Sequence, residues 1–491
     1  MAKKITSKDF DYVADYVKEE YDRRKGNRKD LNHVIKEIDR QVDMRPCLTH
    51  KLDANGAKDP TKAWMPEVEL PLQAEALETL TSDVRSMMFP DSGPWFSAHA
   101  AMTDEYLARA DFSAIVAGDE NEVPTQINQD NADKLVHGLL ESWHYESVLR
   151  ANMDLINAES ISYGVGIGRA RKVKKSVIID TAAGLKRADK FIPVLIPRSI
   201  KETYLDDREH ILMNEGYMVG PLQIFTRKMM LEDLKSQANG SRDPSSDGGW
   251  MPGAVSDLEA DEKGFVELLE AEGDFVIPRK TTGSIFSPAT IVTVACGKND
   301  IKVVRVRFRK SPYNSVITFP YHRERVDSAY PTSPLRKGMP LQAAAVQQMM
   351  YLDIVSCLNA LPPIGYDRND MWFAENGGPI IHPAAQWGTI GDINLHQIGN
   401  PAALFEVYQG YLRQYADVVG MHQARLGAQT LSHTTAYSKE VELQRGAVRT
   451  VDYVRSTLQG PMVKWLTMEY EMGLEDMKNE TFYIDSYRGF V

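Results

Sequence analysis

Apolar residues recur at helical spacing in the first third of the chain. The spacing predicts a helical region from about Lys8 to Met44, interrupted near Gly26–Asn27. A second helix is predicted to begin at Leu72 and to end before Pro90, because the residue preceding a proline disfavours helical geometry. A third is predicted from about Asn128 to Glu159, with apolar positions at Leu135, Leu139, Trp143, Val148 and Met153.

Strand-like patterns follow these helices. Ile161 to Ile178 alternates and is punctuated by glycines, which predicts a tight helix-to-strand turn. Its GVGIG segment is not a dinucleotide-binding fingerprint, because that motif needs GxGxxG between a strand and a helix, and Arg169 follows here. Phe265 to Tyr321 is rich in Val, Ile, Phe and Thr and predicts several antiparallel strands. The predicted fold class is α+β.

The last third pairs long helices with a loop-rich insert. A helix is predicted from Gly338 to Leu361, and Asp353 is its only charged residue. A helix with one face in solvent would carry more charge, so this one is predicted to pack on two sides. The insert, Pro362 to Pro401, precedes a helix from Ala402 to about Met421. The apolar stripe of the first helix comprises Val346, Met350, Ile354, Leu358 and Leu361.

A polar segment and a final helix complete the pattern. His422 to Thr435 has fourteen residues, more than the roughly 2–8 that usually join helices in a compact pair. Ala436 to about Met472 is predicted to be a helix kinked at Pro461. Its predicted buried face holds Val441, Val448, Val451, Val454, Leu458, Met462 and Trp465.

Composition narrows the classes of function. The 491 residues are 43% hydrophobic and 25% charged, which excludes wholesale disorder. The net charge of −11 has the wrong sign for a protein that grips nucleic acid through its phosphates. No apolar run suits a membrane helix, the start lacks a signal-peptide core, and Cys47, Cys296 and Cys357 form no CxxC pair. We expect a soluble protein made in a reducing cytoplasm.

Catalytic signatures are missing from the sequence. It contains no GxxxxGK[ST], HExxH or GxSxG, and its histidines have no clustered ligating partners, so no catalysis, metal or cofactor is predicted. The segment RARKVKK, from Arg169 to Lys175, has five basic residues in seven. A solvated strand edge is the preferred interpretation, with nucleic-acid contact as the alternative.

Charge is unevenly distributed in the last third. Gly338 to Ala424 contains seven acids and two bases, net −5, whereas Arg425 to Arg455 contains five bases and three acids, net +2. An acidic region followed by a basic collar suits a conduit that DNA passes without sticking.

Four segments resemble the portal (head-to-tail connector) proteins of tailed bacteriophages, particularly short-tailed ones. WMPEVELPLQAEALETLTSDVRSMMFPDSGPWF is similar to the family's early helix with its proline–aromatic end. AESISYGVGIGRARKV resembles its helix-to-strand turn, and YPTSPLRKGMPLQAAAVQQMMYLDIVSCLNALPPI resembles the beginning of its first stem helix. GAQTLSHTTAYSKEVELQRGAVRTVDYV resembles the loop and long helix after the second stem helix.

The resemblance implies the portal fold, in a dodecameric ring around a DNA channel at one capsid vertex. Its parts would be the wing (1–337), the first stem helix (338–361), the clip (362–401), the second stem helix (402–421), the tunnel loop (422–435), the long wing helix (436–472) and a short C-terminal crown or tail (473–491). A large C-terminal barrel is not expected.

Three groups of site residues follow from the resemblance together with the residue types. The candidates for the stem lumen, where acids would keep DNA sliding, are Asp353, Glu406, Arg413 and Asp417. The candidates for the clip interface with terminase or adaptor are Tyr366, Arg368, Trp372, Phe373 and Trp387. The candidates for transient DNA contact in the tunnel loop are Gln423, Arg425, Gln429, Ser432 and His433.

The implied partners are those of a DNA conduit without an active site. They are the other ring subunits, double-stranded DNA, the terminase large subunit, the tail adaptor or head-completion protein, and the major capsid and scaffolding proteins, with no cofactor and no membrane. The implied location is the portal vertex of the virion. Two alternatives stay open, namely another ring-forming connector or minor capsid protein, and an intracellular enzyme with an unrecognised site.

Overall fold

Helices and sheets are mixed along the chain, so the predicted α+β class is confirmed. The computed structural model of the protein describes Ile5 and residues 9–48, 51–52, 57–58, 64–90, 95–96, 129–181, 184–206, 221–240, 249–277, 285–298, 300–308, 315–322, 329–360, 364–365, 386–387, 394–395, 400–421 and 449–477.

The described elements are numbered in chain order. The helices are α1 (Phe10–Asn27), α2 (Lys29–Val42), α3 (Leu72–Met88), α4 (Gln129–Glu146), α5 (Leu149–Tyr163), α6 (Leu231–Gly240), α7 (Pro252–Ser256), α8 (Pro334–Ala360), α9 (Pro401–Val419) and α10 (Val463–Met477), with a π-helical turn at Leu458–Met462. The strands are β1 (Val165–Thr181), β2 (Gly184–Arg198), β3 (Thr203–Tyr204), β4 (Gln223–Met230), β5 (Phe265–Ile277), β6 (Ile285–Cys296), β7 (Ile301–Phe308), β8 (Val316–Pro320), β9 (Ile364–Gly365), β10 (Gln386–Trp387) and β11 (Asn394–Leu395).

The first predicted helices are confirmed, and the third is corrected. The break near Gly26–Asn27 separates α1 from α2, and α3 ends before Pro90. The single helix predicted from Asn128 to Glu159 is instead α4 and α5. Val148 separates them with φ 55°, a left-handed conformation, and its side chain is 59% exposed rather than buried. The break lets Trp143 and Met153 enter two different apolar clusters.

Antiparallel strands form two sheets, as the region Phe265 to Tyr321 predicts. The five-stranded sheet has the order β3-β4-β5-β6-β7, and the three-stranded sheet has the order β2-β1-β8. The strands β5, β6 and β7 are consecutive neighbours, while β8 crosses to the other sheet and pairs with β1.

The first glycine of GVGIG, Gly164, forms the predicted tight turn between α5 and β1, and the other four residues begin β1. Gly164 has φ 99°, and a Cβ atom there would lie 2.0 Å from the carbonyl oxygen of Pro331. A Cβ atom on Gly166 would lie 2.1 Å from the carbonyl oxygen of Ile156. Only glycine permits both the left-handed backbone and these close approaches, so the glycines serve packing.

The two faces of strand β5 pack against different helices. Leu269 and Ala271 pack beneath α1, whereas Leu268 packs on α6 and α7. Because side chains alternate along a strand, Glu270 and Glu272 share the side of Leu268, away from α1.

These two carboxylates hold the beginning of β1, so the interpretation of RARKVKK as a solvated strand edge is wrong for Arg169, while Lys174 is exposed as that interpretation expects. Arg169 is 2% exposed and forms ion pairs with Glu270 and Glu272. Arg171 pairs with Glu270 at 2.8 Å, and Arg307 from β7 pairs with Glu270 at 3.3 Å. The motif begins inside an interface between the two sheets because Glu272, which is fully buried, requires a cation there.

The helices of the last third lie near their predicted positions. The helix predicted from Gly338 begins earlier, at Pro334, because Ser333 Oγ accepts a hydrogen bond from the Arg336 amide at 2.9 Å and caps it. The helix predicted from Ala402 is α9. Of the stripe predicted for the first helix, Leu358 is buried while Val346, Met350 and Ile354 are partly exposed, and Leu361 lies outside the described residues.

The final helix is described from Arg449 onward. At Pro461, where a kink is predicted, the helix contains a π-helical turn, because proline has no amide hydrogen to donate along the helix. Met462 and Trp465 are buried as predicted, but Val451 is 37% exposed. Tyr453 occupies the buried face near it instead, where its hydroxyl donates to Asn157 Oδ1 at 2.8 Å. Ala436 to Val448 lies outside the described residues.

We predict that the ion pairs of Glu270 make stability fall in acid. Burial raises the pKa of this carboxyl, but Arg169, Arg171 and Arg307 outweigh burial and lower the pKa to about 2. Because the folded pKa lies below the usual 4.5, the stabilisation is complete above about pH 4.5 and is lost as pH falls toward 2. Urea unfolding between pH 5 and pH 2 should lose about 3 kcal/mol from this group. Glu270→Gln should flatten that part of the profile, and an unchanged profile would contradict the prediction.

Candidate assembly surface

The helices α8 and α9 form an antiparallel pair, called the arm below. A Cβ atom on Gly338 would lie 2.7 Å from both Tyr415 Cε2 and Val419 Cγ2, so the beginning of α8 touches the end of α9. At 1.5 Å per residue, the 27 residues of α8 extend for about 40 Å and the 19 residues of α9 for about 28 Å. The end of the arm near Gly338 is its root, and residues 346–360 and 401–408 are its distal part.

Local sequence defines both ends of α9. Asn400 caps its beginning, where the side-chain oxygen accepts a hydrogen bond from the Ala402 amide at 3.0 Å, and Pro401 is its first residue. Gly420 ends it in the left-handed conformation, with φ 88°.

Three buried glutamines hold the root to the helices beneath it. Gln342 Nε2 donates to Glu69 Oε1 at 2.8 Å and to the Leu70 carbonyl at 2.9 Å, and its Oε1 accepts from the Gln73 amide at 2.8 Å. Gln73 Nε2 donates to the Leu335 carbonyl at 2.8 Å. Gln41 Nε2 donates to the Met339 carbonyl at 3.3 Å. These bonds cross between α8, α2 and α3 and fix the direction in which the arm leaves the core.

The distal part of the arm leaves apolar side chains uncovered in the single chain. Leu358 is the one fully buried side chain in these two segments, both of which are described throughout. Tyr351, Phe405 and Val407 are 40%, 40% and 46% exposed. The partly exposed apolar residues of α8 here are Val346, Met349, Met350, Leu352, Ile354 and Val355. The first packing side of α8 is supplied by α9, and the part of the chain that the structure describes supplies no second one for these residues.

The four predicted lumen residues all lie on the arm. Glu406 and Asp417 are exposed, and Asp353 and Arg413 are partly exposed. Glu406, Arg413 and Asp417 are separated by seven and four residues, which puts them on one face of α9. Asp353 belongs to the other helix, within its distal part. The structure therefore brings three of the four onto one helix face and leaves the fourth on the neighbouring helix.

A basic side chain closes the root end of α9. Arg449 Nη1 donates to the Val418 carbonyl at 2.8 Å and to the Asp417 carbonyl at 3.2 Å. A cation at the C-terminus of a helix is favourable, because the last carbonyls carry partial negative charge. Arg449 belongs to the basic collar predicted between Arg425 and Arg455, so the collar meets the arm at its root.

A cleft of about 920 Å³ opens beside this cap. It lies between β8, the beginning of α8, the end of α9 and the π-helical turn, and basic and acidic side chains line it, including Lys337, Arg449, Lys464 and Asp452. Tyr321 and Tyr453 stack at its wall with ring centroids 4.8 Å apart. Burial raises the pKa of Tyr321 to about 12, so this phenol is neutral at physiological pH.

The remaining site predictions fall outside the described residues. The tunnel-loop candidates Gln423, Arg425, Gln429, Ser432 and His433 do so, as do the clip candidates Tyr366, Arg368, Trp372 and Phe373. For Trp387 the backbone alone is described, in β10. There β9 pairs in parallel with β10 and antiparallel with β11, which forms a small sheet within the insert.

Sequence reasoning missed the glutamines at the root. Gln342 is one of three glutamines in α8, with Gln347 and Gln348, and nothing in the sequence distinguishes it as the buried one. Its partners Glu69 and Leu70 are about 270 residues away in sequence, so their identity could not be inferred.

Comparisons with known proteins add no family assignment. No family model matches the chain, and no curated protein matches it. Among the residues that the structure describes, no group of His, Cys, Asp and Glu has the arrangement of a metal site. Within the same ranges, no helix has the length and apolar character needed to span a bilayer.

We predict that Gln342→Leu destabilises the root of the arm. The leucine fills a similar volume but leaves the Gln73 amide and the Leu70 carbonyl without their buried partner, at a cost of about 1–3 kcal/mol. The matched control is Gln347→Leu on the same helix, where the glutamine is exposed and bonds only Tyr351 among the contacts resolved. Equal urea midpoints for the two variants would contradict the role given to Gln342.

Proposed function

We propose that the chain is a portal protein of a tailed bacteriophage, of the short-tailed type. Twelve copies would form a ring at one capsid vertex, and DNA would enter and leave through its centre. The observation that carries this proposal is the arm, an antiparallel helix pair interrupted by a loop-rich insert and fixed to a mixed α/β body at its root. In the proposed assembly, α8 and α9 are the stem, and the insert between them is the clip.

The uncovered apolar surface of the arm supports a ring. Large apolar side chains that remain exposed on a projecting element usually mark an interface. A helix pair that has side chains uncovered on both helices suits packing between two neighbours, as every subunit of a closed ring requires. A ring that buries Tyr351, Phe405 and Val407 would gain about 1–2 kcal/mol for each of them per copy.

The charge of the arm and insert supports passage of DNA without tight binding. Twelve copies of the net −5 between Gly338 and Ala424 would surround the channel with a charge of about −60. Repulsion from all sides would keep a duplex centred and free of a deep binding minimum. The proposed ring performs no chemistry. Terminase would dock on the clip during packaging, and the tail adaptor would take that place afterwards.

We predict that the purified chain forms twelve-fold rings with a central hole in negative-stain images. Phe405→Glu combined with Val407→Glu should raise the concentration needed for half-assembly by about tenfold or more, because charges replace buried apolar contacts. The control is Val463→Glu on α10, where the valine is 53% exposed and outside the arm. Monomers or dimers of the parent chain would refute the ring and favour an enzyme or another component.

We predict that the acids of the arm keep packaging fast. Asp353→Lys combined with Glu406→Lys should leave rings intact but slow DNA packaging in vitro several-fold, because phosphates would pair with the new cations. The slowing should weaken as salt is raised, since salt screens exposed charges. Glu78→Lys, at an exposed position on α3, is the matched control. Packaging at the parent rate would contradict the proposed role of these acidic residues in DNA passage.

A further inference from the structure

The strands β1 and β2 extend beyond their sheet as a two-stranded ribbon. They pair with each other from Ile167↔Arg198 to Thr181↔Gly184, whereas β8 pairs with β1 only from Val165 to Arg169. In the described part of the chain, the remainder of β1 has β2 as its one strand neighbour. A two-stranded ribbon has little stability of its own unless something packs on it.

The ribbon is basic within an acidic protein. Residues 172–190 contain six basic and two acidic residues, net +4, in a chain of net charge −11. The register pairs Lys174 with Phe191, so these two exposed side chains share one face of the ribbon, and Phe191 is 48% exposed. A surface with both cations and exposed apolar groups suits an acidic protein face better than a phosphate backbone.

An acidic face lies on the other side of the same body. Asp11, Asp15 and Glu19 follow one another at four-residue spacing on α1, so they share one face, and all three are exposed. Tyr12, beside them, is 60% exposed. The helix α1 covers the side of β5 that carries Leu269, whereas β1 is bound to the opposite side of β5. A basic ribbon and an acidic helix thus stand on opposite sides of the five-stranded sheet.

We propose that the ribbon of one copy docks on the α1 face of a second copy. Two complementary surfaces on opposite sides of a subunit make a head-to-tail contact, which closes into a ring when its rotation permits. This inference rests on the proposed ring and names a contact outside the arm. It also accounts for assembly of subunits that each carry −11, because local attraction across the interface offsets the general repulsion.

Charge reversal tests the contact. Lys172→Glu with Lys174→Glu, two residues on one face of the strand, reverses the ribbon, and Asp15→Lys with Glu19→Lys reverses the helix. Each reversal alone should raise the concentration for half-assembly into rings by about tenfold, and all four changes in one chain should return it to within about threefold of the parent. Lys228→Glu with Lys263→Glu, at exposed positions elsewhere, is the control and should have little effect. Circular dichroism and thermal melting establish that each variant is folded.

A second measurement uses the parent protein without mutation. Rings assembled from equal amounts of ¹⁵N-labelled and unlabelled chains are treated with a zero-length carbodiimide cross-linker. Mass spectrometry should find mixed-isotope links that join Lys172 or Lys174 to Asp15 or Glu19. This result does not depend on whether a charge-reversed variant folds.

The outcomes separate this inference from the proposed function. If the parent forms rings but the reversals do not change assembly and no mixed links occur, the ribbon contact is wrong and the ring stands. If ribbon-reversed rings assemble normally but lose binding of a labelled DNA duplex, the partner is nucleic acid and the inference is overturned. A parent chain that stays monomeric at all concentrations refutes both.

Discussion

One buried cation fixes how the two large sheets meet. Arg169 lies 2% exposed between Glu270 and Glu272, with its guanidinium 4.5 Å from the ring centre of Phe225. Any other docking of the sheets would leave a charge buried without a partner, which costs several kcal/mol. The direction of β1 depends on this site, and α5, β8 and the ribbon all follow from that direction.

Local elements were predictable because their causes are local. Capping residues, prolines and apolar spacing located α1, α2, α3, α8 and α9 to within a few residues. The break at Val148 was not predictable, because Trp143 and Met153 continue one helical spacing while they pack in different clusters. The burial of Arg169 was hidden for a similar reason, since the carboxylates that require it lie about 100 residues further along the chain.

The two helices of the arm were predictable from the sequence, but the side chains that hold the arm in place were not. The scarcity of charge in α8 marked it as a helix that needs neighbours, and the arm confirms its position and its pairing with α9. The amides that orient the arm, Gln41, Gln73 and Gln342, come from three separate helices. Their meeting depends on the tertiary fold, so hydrophobic periodicity carries no information about it.

The π-helical turn at Leu458–Met462 determines the direction in which the side chains after it point from the helix axis. Tyr453 and Trp465 are twelve residues apart and both belong to the main core. In an uninterrupted α-helix they would point about 120° apart, but a turn that absorbs one extra residue reduces the difference to about 20°. The turn therefore accommodates one extra residue and keeps both side chains on the same face of the helix. If the same residues formed a regular α-helix, everything beyond them would rotate by about 100°, including Glu469, which faces His144 at 2.7 Å, whereas deletion of one residue from the turn would preserve the direction of these side chains.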